Sequence, residues 1–403
     1  MIKKILVEGP VLCQSGYGEH ARMVLRALRS QEDVFDIYIL PTTWGQSSWL
    51  YEQNEERSWI DSNINKTVLA LQQKQQFDIH LYIGIPPDMK RKAPISISVN
   101  AGIETDRVKP EWLDILNREC DKVITISQHS IDMYKNTSYK AQDQNGNLFD
   151  LKLNVPIDYV GYPVKQFKQF DNHDWIKFDY DFNFLCVAQW GPRKNLANTI
   201  KWFVEEFKND KVGLICKISG ANNSLMDRKA CETQLEEILK DYPNRQCKVY
   251  LLHGDMTEDE MHNLYIHPQV KSMINFGHGE GYGLPLFEAA YCGLPVITHE
   301  FGGQKDFLHF EKDGKTRAGF LKLPYDMGKI EQEAVWSCCT DPEMQWAYVK
   351  PFIARTAMRE IVKDHGRFKG QAKKLKEEIL QDYTEEKINN KFIEILLDDI
   401  IVI

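Results

Sequence analysis

The chain has 403 residues, 43% of them hydrophobic and 27% charged, with a formal net charge of −8. That length exceeds what one hydrophobic core usually holds, so an ordinary globular protein of two domains is expected. The acidic total argues against indiscriminate binding to nucleic acid or membrane surfaces, though local basic patches remain open, and no apolar run approaches the roughly 18 residues that span a bilayer.

The opening MIKKILVEGP has a short apolar run followed by turn residues, which reads as a first strand at 5–7 rather than a signal peptide. SGYGEHARMVLRAL then places apolar residues at helical spacing. Further strands are predicted at 37–40, 79–83, 95–99 and 122–126, each short and bounded by Gly, Pro, Ser or Asn, as buried parallel strands between crossover helices are. Asn145-Gly146 between 139–143 and 148–153 predicts a hairpin, and the proline-containing stretch 156–181 a linker. The alternation then restarts. Strands are expected at 184–188, 213–218, 248–252 and 272–276, with helices at 195–207, 228–239 and 258–265, and a final amphipathic helix at 384–397. Two successive alternating units imply an α/β fold of two doubly wound, Rossmann-like domains facing each other across a cleft. The expected boundaries are 1–165 for the first domain, with the helix of about 380–403 packing back on it, and 166–379 for the second. Nine scattered cysteines without a CxxC pair fit reduced thiols in a cytoplasmic protein, the adjacent Cys338 and Cys339 included, and show no metal-ligand spacing.

The chemistry concentrates in Gly277 to Pro295, GHGEGYGLPLFEAAYCGLP. Four glycines in seven residues follow a strand, and a helix begins near Leu284 with Pro285 in its first turn, where a missing N–H costs nothing. Glycines let a ligand approach the backbone, and the free N–H groups of a helix start suit a diphosphate. Glycines alone fit a tight strand-to-helix turn equally well. Glu280 in the loop and Glu288 one turn into the helix tip the balance, because carboxylates beside a diphosphate are useful mainly for hydroxyls: Glu280 for those of a sugar, Glu288 for those of a ribose.

This stretch, continued by Phe301-Gly302-Gly303, resembles the Glu, seven residues, Glu signature of glycosyltransferase family 4, retaining enzymes of GT-B fold. The resemblance implies that Glu280 contacts the donor sugar near its reacting face and Glu288 the ribose. Gly281 and Tyr282 would line the donor, while Gly283 and Leu284 would offer amides to the distal phosphate. Upstream, CVAQWGPRKNL matches the family's phosphate clamp in Lys194, but Gln189 stands where Arg is expected, and Gln carries no charge. Arg193 or Lys217 could supply the missing cation, although Arg193 and Lys194 also fit a solvated helix start. In the first half, GPVLCQSGYGEHAR resembles the family's first loop, with Gly16 and Gly18 as points of close approach to the donor; His20 fits a cap or core position as well as a substrate contact.

The segment AGIETDRVKPEWLDILNRECDKVITISQHS is similar to that of a subgroup with Glu-Thr-Asp before a Pro-Glu-Trp helix start, which places Glu104, Asp106 and Ser127 toward the cleft. Glu104 is the candidate acceptor-side acid or base, with a capping or salt-bridged carboxylate as its bland counterpart, and His129 is a weaker candidate. The resemblance implies a metal-independent transferase with no cofactor, taking a sugar from a UDP or GDP sugar and relying on positioning and phosphate stabilisation, with Glu280, Glu104 and Lys194 as the catalytic set. A glycan acceptor, such as a polysaccharide or lipopolysaccharide, is the first expectation. A hydroxylated base in duplex DNA is the second, should Lys90-Arg91-Lys92 or the cluster Lys363, Arg367, Lys369, Lys373, Lys374 and Lys376 line the cleft mouth. A non-catalytic sugar-binding relative is a third reading, and a dinucleotide-dependent oxidoreductase a poor one, lacking GxGxxG with an acid about 20 residues on.

Overall fold

The computed structural model describes residues 2–398, which divide into two compact units. Unit 1 begins with β1 (Lys3–Gly9), α1 (Gly16–Arg29), β2 (Phe35–Pro41), α2 (Glu55–Gln72), β3 (Ile79–Ile83), β4 (Ile95–Val99), α3 (Pro110–Glu119), β5 (Lys122–Thr125) and α4 (Gln128–Asn136). A hairpin, β6 (Tyr139–Gln142) and β7 (Leu148–Leu151), and β8 (Ile157–Tyr159) follow. The sheet is parallel in the order β2-β1-β3-β4-β5-β8, with the switch in winding between β1 and β3. β3 is buried along its whole length, which is why IHLYI lacks an alternating pattern: helices cover both faces of a central parallel strand. The hairpin turn forms as Asn145-Gly146 predicts, with Gly146 at φ 85° and the Asp143 carboxylate accepting the Asn145 and Asn147 N–H groups.

Unit 2 contains β9 (Asn183–Gln189), α5 (Leu196–Phe207), β10 (Gly213–Ser219), α6 (Leu225–Leu239), β11 (Lys248–Leu252), α7 (Glu258–Tyr265), β12 (Val270–Ile274), α8 (Leu284–Cys292) and β13 (Val296–Thr298). A hairpin, β14 (His309–Lys312) and β15 (Lys315–Ala318), precedes β16 (Leu321–Lys322), β17 (Asp326–Lys329), β18 (Gln345–Tyr348), α9 (Pro351–Lys363) and α10 (His365–Asp382). Its parallel sheet runs β11-β10-β9-β12-β13-β16. This is the strand order of a doubly wound dinucleotide-binding sheet, whose crevice opens between its first and fourth strands, here β9 and β12. The core on one face is aromatic: Phe184 on β9 packs against Phe203 and Phe207 of α5, and all three are fully buried. Truncating Phe203 to alanine would cost about 3–5 kcal/mol through lost burial and the cavity left behind.

Two placements differ from the sequence expectation. Ile157–Tyr159 is a sheet strand paired to β5, so the linker is shorter than 156–181 and the units divide at Pro163 and Val164. Val335–Met344 belongs to unit 1 although the chain on either side belongs to unit 2. The last helix, α11 (Glu385–Asp398), belongs to unit 1, packing on α1 and accepting the buried Lys122 ammonium at the Ile395 carbonyl; residues 399–403 of the expected 380–403 segment lie outside those described. Helix α2 has no clear apolar stripe, only Ile60, Thr67 and Ala70 being buried, and so carries little periodic signal.

Candidate active site

In unit 2 the loops that leave β9 and β12 are stitched together at the switch point. Asn195, in a left-handed conformation at φ 51°, donates from its side chain to the Phe276 carbonyl at 3.0 Å. His278 donates its N–H to the Arg193 carbonyl at 2.7 Å, and the Arg193 guanidinium donates to the Gly279 carbonyl at 2.6 Å. The His299 ring, on the segment after β13, meets the Gly277 carbonyl at 2.5 Å. Glycine is required here for a second reason: a Cβ on Gly302 would lie 2.4 Å from the Glu280 carbonyl oxygen, which accepts the Gly303 N–H at 2.9 Å. The two loops therefore form one braced surface at the strand ends.

That surface encloses Glu280. Its carboxylate accepts both ways from the Lys194 ammonium, at 2.7 and 2.6 Å, and from the Asn275 side-chain amide at 3.0 Å, with Arg193 at 3.5 Å. Burial alone would push the Glu280 carboxyl up. The charges of Lys194 and Arg193, with the hydrogen bonds from Lys194 and Asn275, outweigh it and bring the pKa down to about 2. At neutral pH Glu280 is thus an acceptor of hydrogen bonds and cannot serve as a proton donor. Two cations and one carboxylate leave this group with a net charge of +1, close to the N-terminus of α8, whose dipole adds the same sign. Arg193 and Lys194 keep 25% and 19% of their side-chain surface open while Glu280 keeps 7%. The cations, rather than the carboxylate, are what an incoming anion meets.

Helix α8 is preceded by its N-cap Gly283, at φ 89°, a conformation that L side chains rarely adopt. Its opening amides, at Gly283 and Leu284, precede any carbonyl four residues back within the helix, and Pro285 has no N–H to offer. Glu288, half-buried one turn in, accepts from the Tyr265 hydroxyl at 2.9 Å, which fixes the carboxylate's direction.

The structure brings Glu280, Arg193, Lys194, Gly283, Leu284 and Glu288 onto these braced loops and the helix they open; other expected residues are placed differently. Lys217 donates to the Gly254 carbonyl after β11, on the side of β10 away from β9, so it does not replace the missing arginine. Arg193 is the second cation beside Glu280. Gln189 is exposed and donates to the Gly220 carbonyl at 2.8 Å, toward the β10 end. The Tyr282 ring packs into the core against Phe287 and Phe307, and Gly281 is buried. Asn275 and Tyr265, which orient the two glutamates, were not anticipated. Asn275 directly follows β12, five residues before Glu280, a spacing that could have been read.

In unit 1, Gly16 opens α1 with free space around it, whereas Gly18 is glycine because a Cβ would meet the Cys13 carbonyl oxygen at 1.9 Å. His20 is fully buried, edge-on to Tyr162, and burial lowers its pKa to about 4 against the opposing pull of Glu19; it is a neutral core histidine. Glu104 is half-buried on the loop after β4, and Asp106 on the same loop pairs with Arg107 at 2.9 Å. Ser127 is fully buried and caps α4 by accepting the Ser130 N–H at 3.2 Å; His129 is half-buried on the first turn of that helix. Four members of the basic clusters have carboxylate partners: Arg91 with Asp121 at 2.8 Å, Lys92 with Glu8 at 2.6 Å, Arg367 with Glu360 and Lys373 with Glu377 at 4.0 Å.

One group of metal-ligand type does form, which sequence spacing did not reveal: Asp227, Cys231 and His253 bring ligand atoms within 4.8 Å of one another. Asp227 is already engaged there, accepting the Gly220 and Ala221 N–H groups at 2.9 Å and the His253 ring at 2.8 Å. Its evident work is to hold the loop after β10. Among the described residues, no helix is long and apolar enough to cross a membrane.

Residues 168–336 match the family model described as "Glycosyl transferases group 1". The serotype-specific mannosyltransferase WbdA of Escherichia coli is 27% identical over 156 residues, a stretch that is 38% of this chain and 17% of that protein. The chain thus covers 17% of the length of that curated relative. Among solved structures, sucrose-phosphate synthase from Thermosynechococcus elongatus aligns over 100% of both chains with a TM-score of 0.63 and 12% identity. Anabaena Alr3699/HepE, solved in complex with UDP and glucose, aligns over 98% of this chain and 100% of its own, with a TM-score of 0.57 and 13% identity. These neighbours and the two parallel α/β sheets identify the fold as GT-B.

Proposed function

We propose that the protein is a retaining glycosyltransferase that moves a sugar from a nucleotide diphosphate to a hydroxyl of a glycan. The observation that carries this reading is the group formed by Glu280, Lys194 and Arg193 where β9 and β12 diverge, beside the opening amides of α8. A net positive group at a helix N-terminus suits a diphosphate. The ionised Glu280 supplies an acceptor for sugar hydroxyls, and Glu288 one for the ribose. The similarity of residues 168–336 to group 1 glycosyl transferases supports the same assignment, as does the similarity to a mannosyltransferase named as serotype-specific, which favours a glycan acceptor.

In this reading the bond from the anomeric carbon to the diphosphate oxygen breaks while the acceptor hydroxyl attacks from the same face. The acceptor proton passes to a phosphate oxygen of the leaving group, and Lys194 and Arg193 stabilise the charge that develops there. Gly283 and Leu284 would donate to the distal phosphate, and Glu104 would orient the acceptor. Gln189 would contribute a neutral hydrogen bond where the family resemblance implies an arginine, which shifts phosphate binding onto Arg193 and Lys194. UDP or GDP sugars are the expected donors, with neither cofactor nor metal, in a cytoplasmic setting that suits the nine unbridged cysteines. No observation favours DNA as the acceptor.

The test is thermal unfolding with UDP, GDP and ADP at millimolar concentration. One of the three should raise the melting temperature, and at 100 times its Kd the stabilisation is about 2.7 kcal/mol. A melting temperature unmoved by any of them contradicts the proposal.

A further inference from the structure

The loops at the C-terminal edge of the unit 1 sheet carry large aromatic side chains that its core does not absorb. Tyr17, at the start of α1, stacks on Trp44 of the β2–α2 loop with ring centroids 4.0 Å apart. Trp44 in turn meets Trp336 edge-on at 6.4 Å, and Trp336 is 54% exposed. Trp336 comes from Val335–Met344, the segment that leaves unit 2 to join unit 1.

This exposure does not come from a loose loop. The Lys109 ammonium donates to the Ser337 carbonyl at 2.5 Å and the Trp112 indole to the Cys338 carbonyl at 2.8 Å, fastening the segment to the start of α3. Cys339 and Thr340 both return their N–H groups to the Trp336 carbonyl at 2.8 Å, closing a tight turn around it. Trp44 is likewise held, because its loop lies antiparallel on the loop after β1 through Gln14 N–H to the Ser48 carbonyl at 2.7 Å and Leu50 N–H to the Leu12 carbonyl at 2.8 Å. Two indoles braced in place with open surface form a binding surface whose ordering has occurred before any ligand arrives. The half-buried Glu104 lies on the neighbouring loop, and its charge acts on both Tyr17 and Cys339.

We propose that the exposed Trp336 indole, set at 85° to Trp44 and bounded by it, is the face on which one pyranose ring of a neutral glycan acceptor stacks, with Glu104 accepting from a hydroxyl at the ring's edge. A pyranose offers a face of C–H groups, which suits an aromatic surface, and a rim of hydroxyls, which needs acceptors. The carboxylate at the rim selects against anionic sugars. This assignment rests on the glycosyltransferase reading and narrows it to a chemical class of acceptor.

Saturation-transfer NMR on the full chain with three neutral probes, α-mannotriose, maltotriose and an α-galactotriose, tests it, with UDP and GDP thermal shifts measured on the same samples. At least one probe should receive saturation on the C–H protons of one ring face. Trp336→Ala and Trp44→Ala should each weaken that probe by about tenfold, the scale of losing one aromatic anchor, while Trp336→Tyr retains most of the binding. Nucleotide shifts should be unchanged in all three variants. If no probe binds, or if binding survives both alanine variants, the platform is refuted while the nucleotide shifts still stand for the donor site. If the nucleotides stabilise nothing, it is the glycosyltransferase reading that fails. Because Trp336 is exposed, its alanine variant should unfold at the wild-type temperature, so lost binding cannot be assigned to misfolding.

Discussion

The two sheets present the same kind of edge, loops at the C-terminal ends of parallel strands, yet they fill it in opposite ways. In unit 2 the edge is polar and charged, with a buried carboxylate locked by two cations and an amide. In unit 1 it is aromatic, and its polar residues are mostly committed to structure: Ser127 caps a helix, Asp106 pairs with Arg107 and His20 sits neutral in the core. The difference teaches that fold alone does not assign chemistry to a strand end. A nucleotide diphosphate demands fixed charge, whereas a sugar acceptor demands surface and shape.

The contrast breaks most visibly if Glu280 can be neutralised without consequence. Glu280→Gln should reduce turnover by about 10²- to 10³-fold, the scale of removing one preorganised electrostatic contact, and leave nucleotide affinity within about threefold. It should also remove a pH-dependent part of stability. A carboxyl whose folded pKa is about 2, below its ordinary 4.5, stabilises the fold above pH 4.5 and loses that contribution as pH falls toward 2. The stability gap between wild type and Glu280→Gln, measured by urea unfolding, should therefore shrink between pH 5 and pH 2.

Lys194→Ala comes next. It strips the buried Glu280 of its main partner and should destabilise unit 2 by about 3 kcal/mol, most of which Lys194→Met combined with Glu280→Gln should restore, since no buried charge is then left alone. Calorimetry should also show UDP weakened at least about tenfold and UMP hardly at all, because a cation serves the distal phosphate; this contact is charge-assisted. Equal losses for both nucleotides would remove Lys194 from the phosphate site.

Glu288→Ala sharpens the division within unit 2. It should weaken UDP and UMP alike by about tenfold, as loss of a charged hydrogen-bond acceptor does, and Tyr265→Phe by about threefold through looser orientation. The smallest effect tests unit 1. Ser127→Ala should cost about 1 kcal/mol of stability as a lost helix cap and leave kcat unchanged. A fall in kcat at preserved stability would return Ser127 to the site.

The alternation of strands and helices was legible because buried parallel strands are short apolar runs between turn residues. The glycine-rich loop and helix start of unit 2 were legible because Gly277 to Glu288 is one continuous stretch, in which glycines, a helix start and two carboxylates are ordered along the chain. Side-chain direction was not. Lys217 turns toward Gly254, Tyr282 turns into the core and Gly18 answers to the Cys13 carbonyl, none of which position in the chain reveals. Contacts made across long loops were equally hidden. The Tyr265 hydroxyl reaches Glu288 from another helix, and Trp336 reaches Trp44 only because Val335–Met344 crosses between units. Unit 1 illustrates the general difficulty, since the residue types that suggest chemistry, Ser, His and Asp, are also those that cap helices and close loops.

The central claim, that the strand ends of unit 2 hold a nucleotide sugar and activate it, is tested most directly by incubating the protein with UDP, GDP and ADP sugars. Proton NMR would follow the free sugar released to water. The account predicts slow release from one donor, with the anomeric configuration retained in the first product and with release abolished by Glu280→Gln. A donor panel left intact by the wild-type protein, or consumed equally by Glu280→Gln, would contradict it.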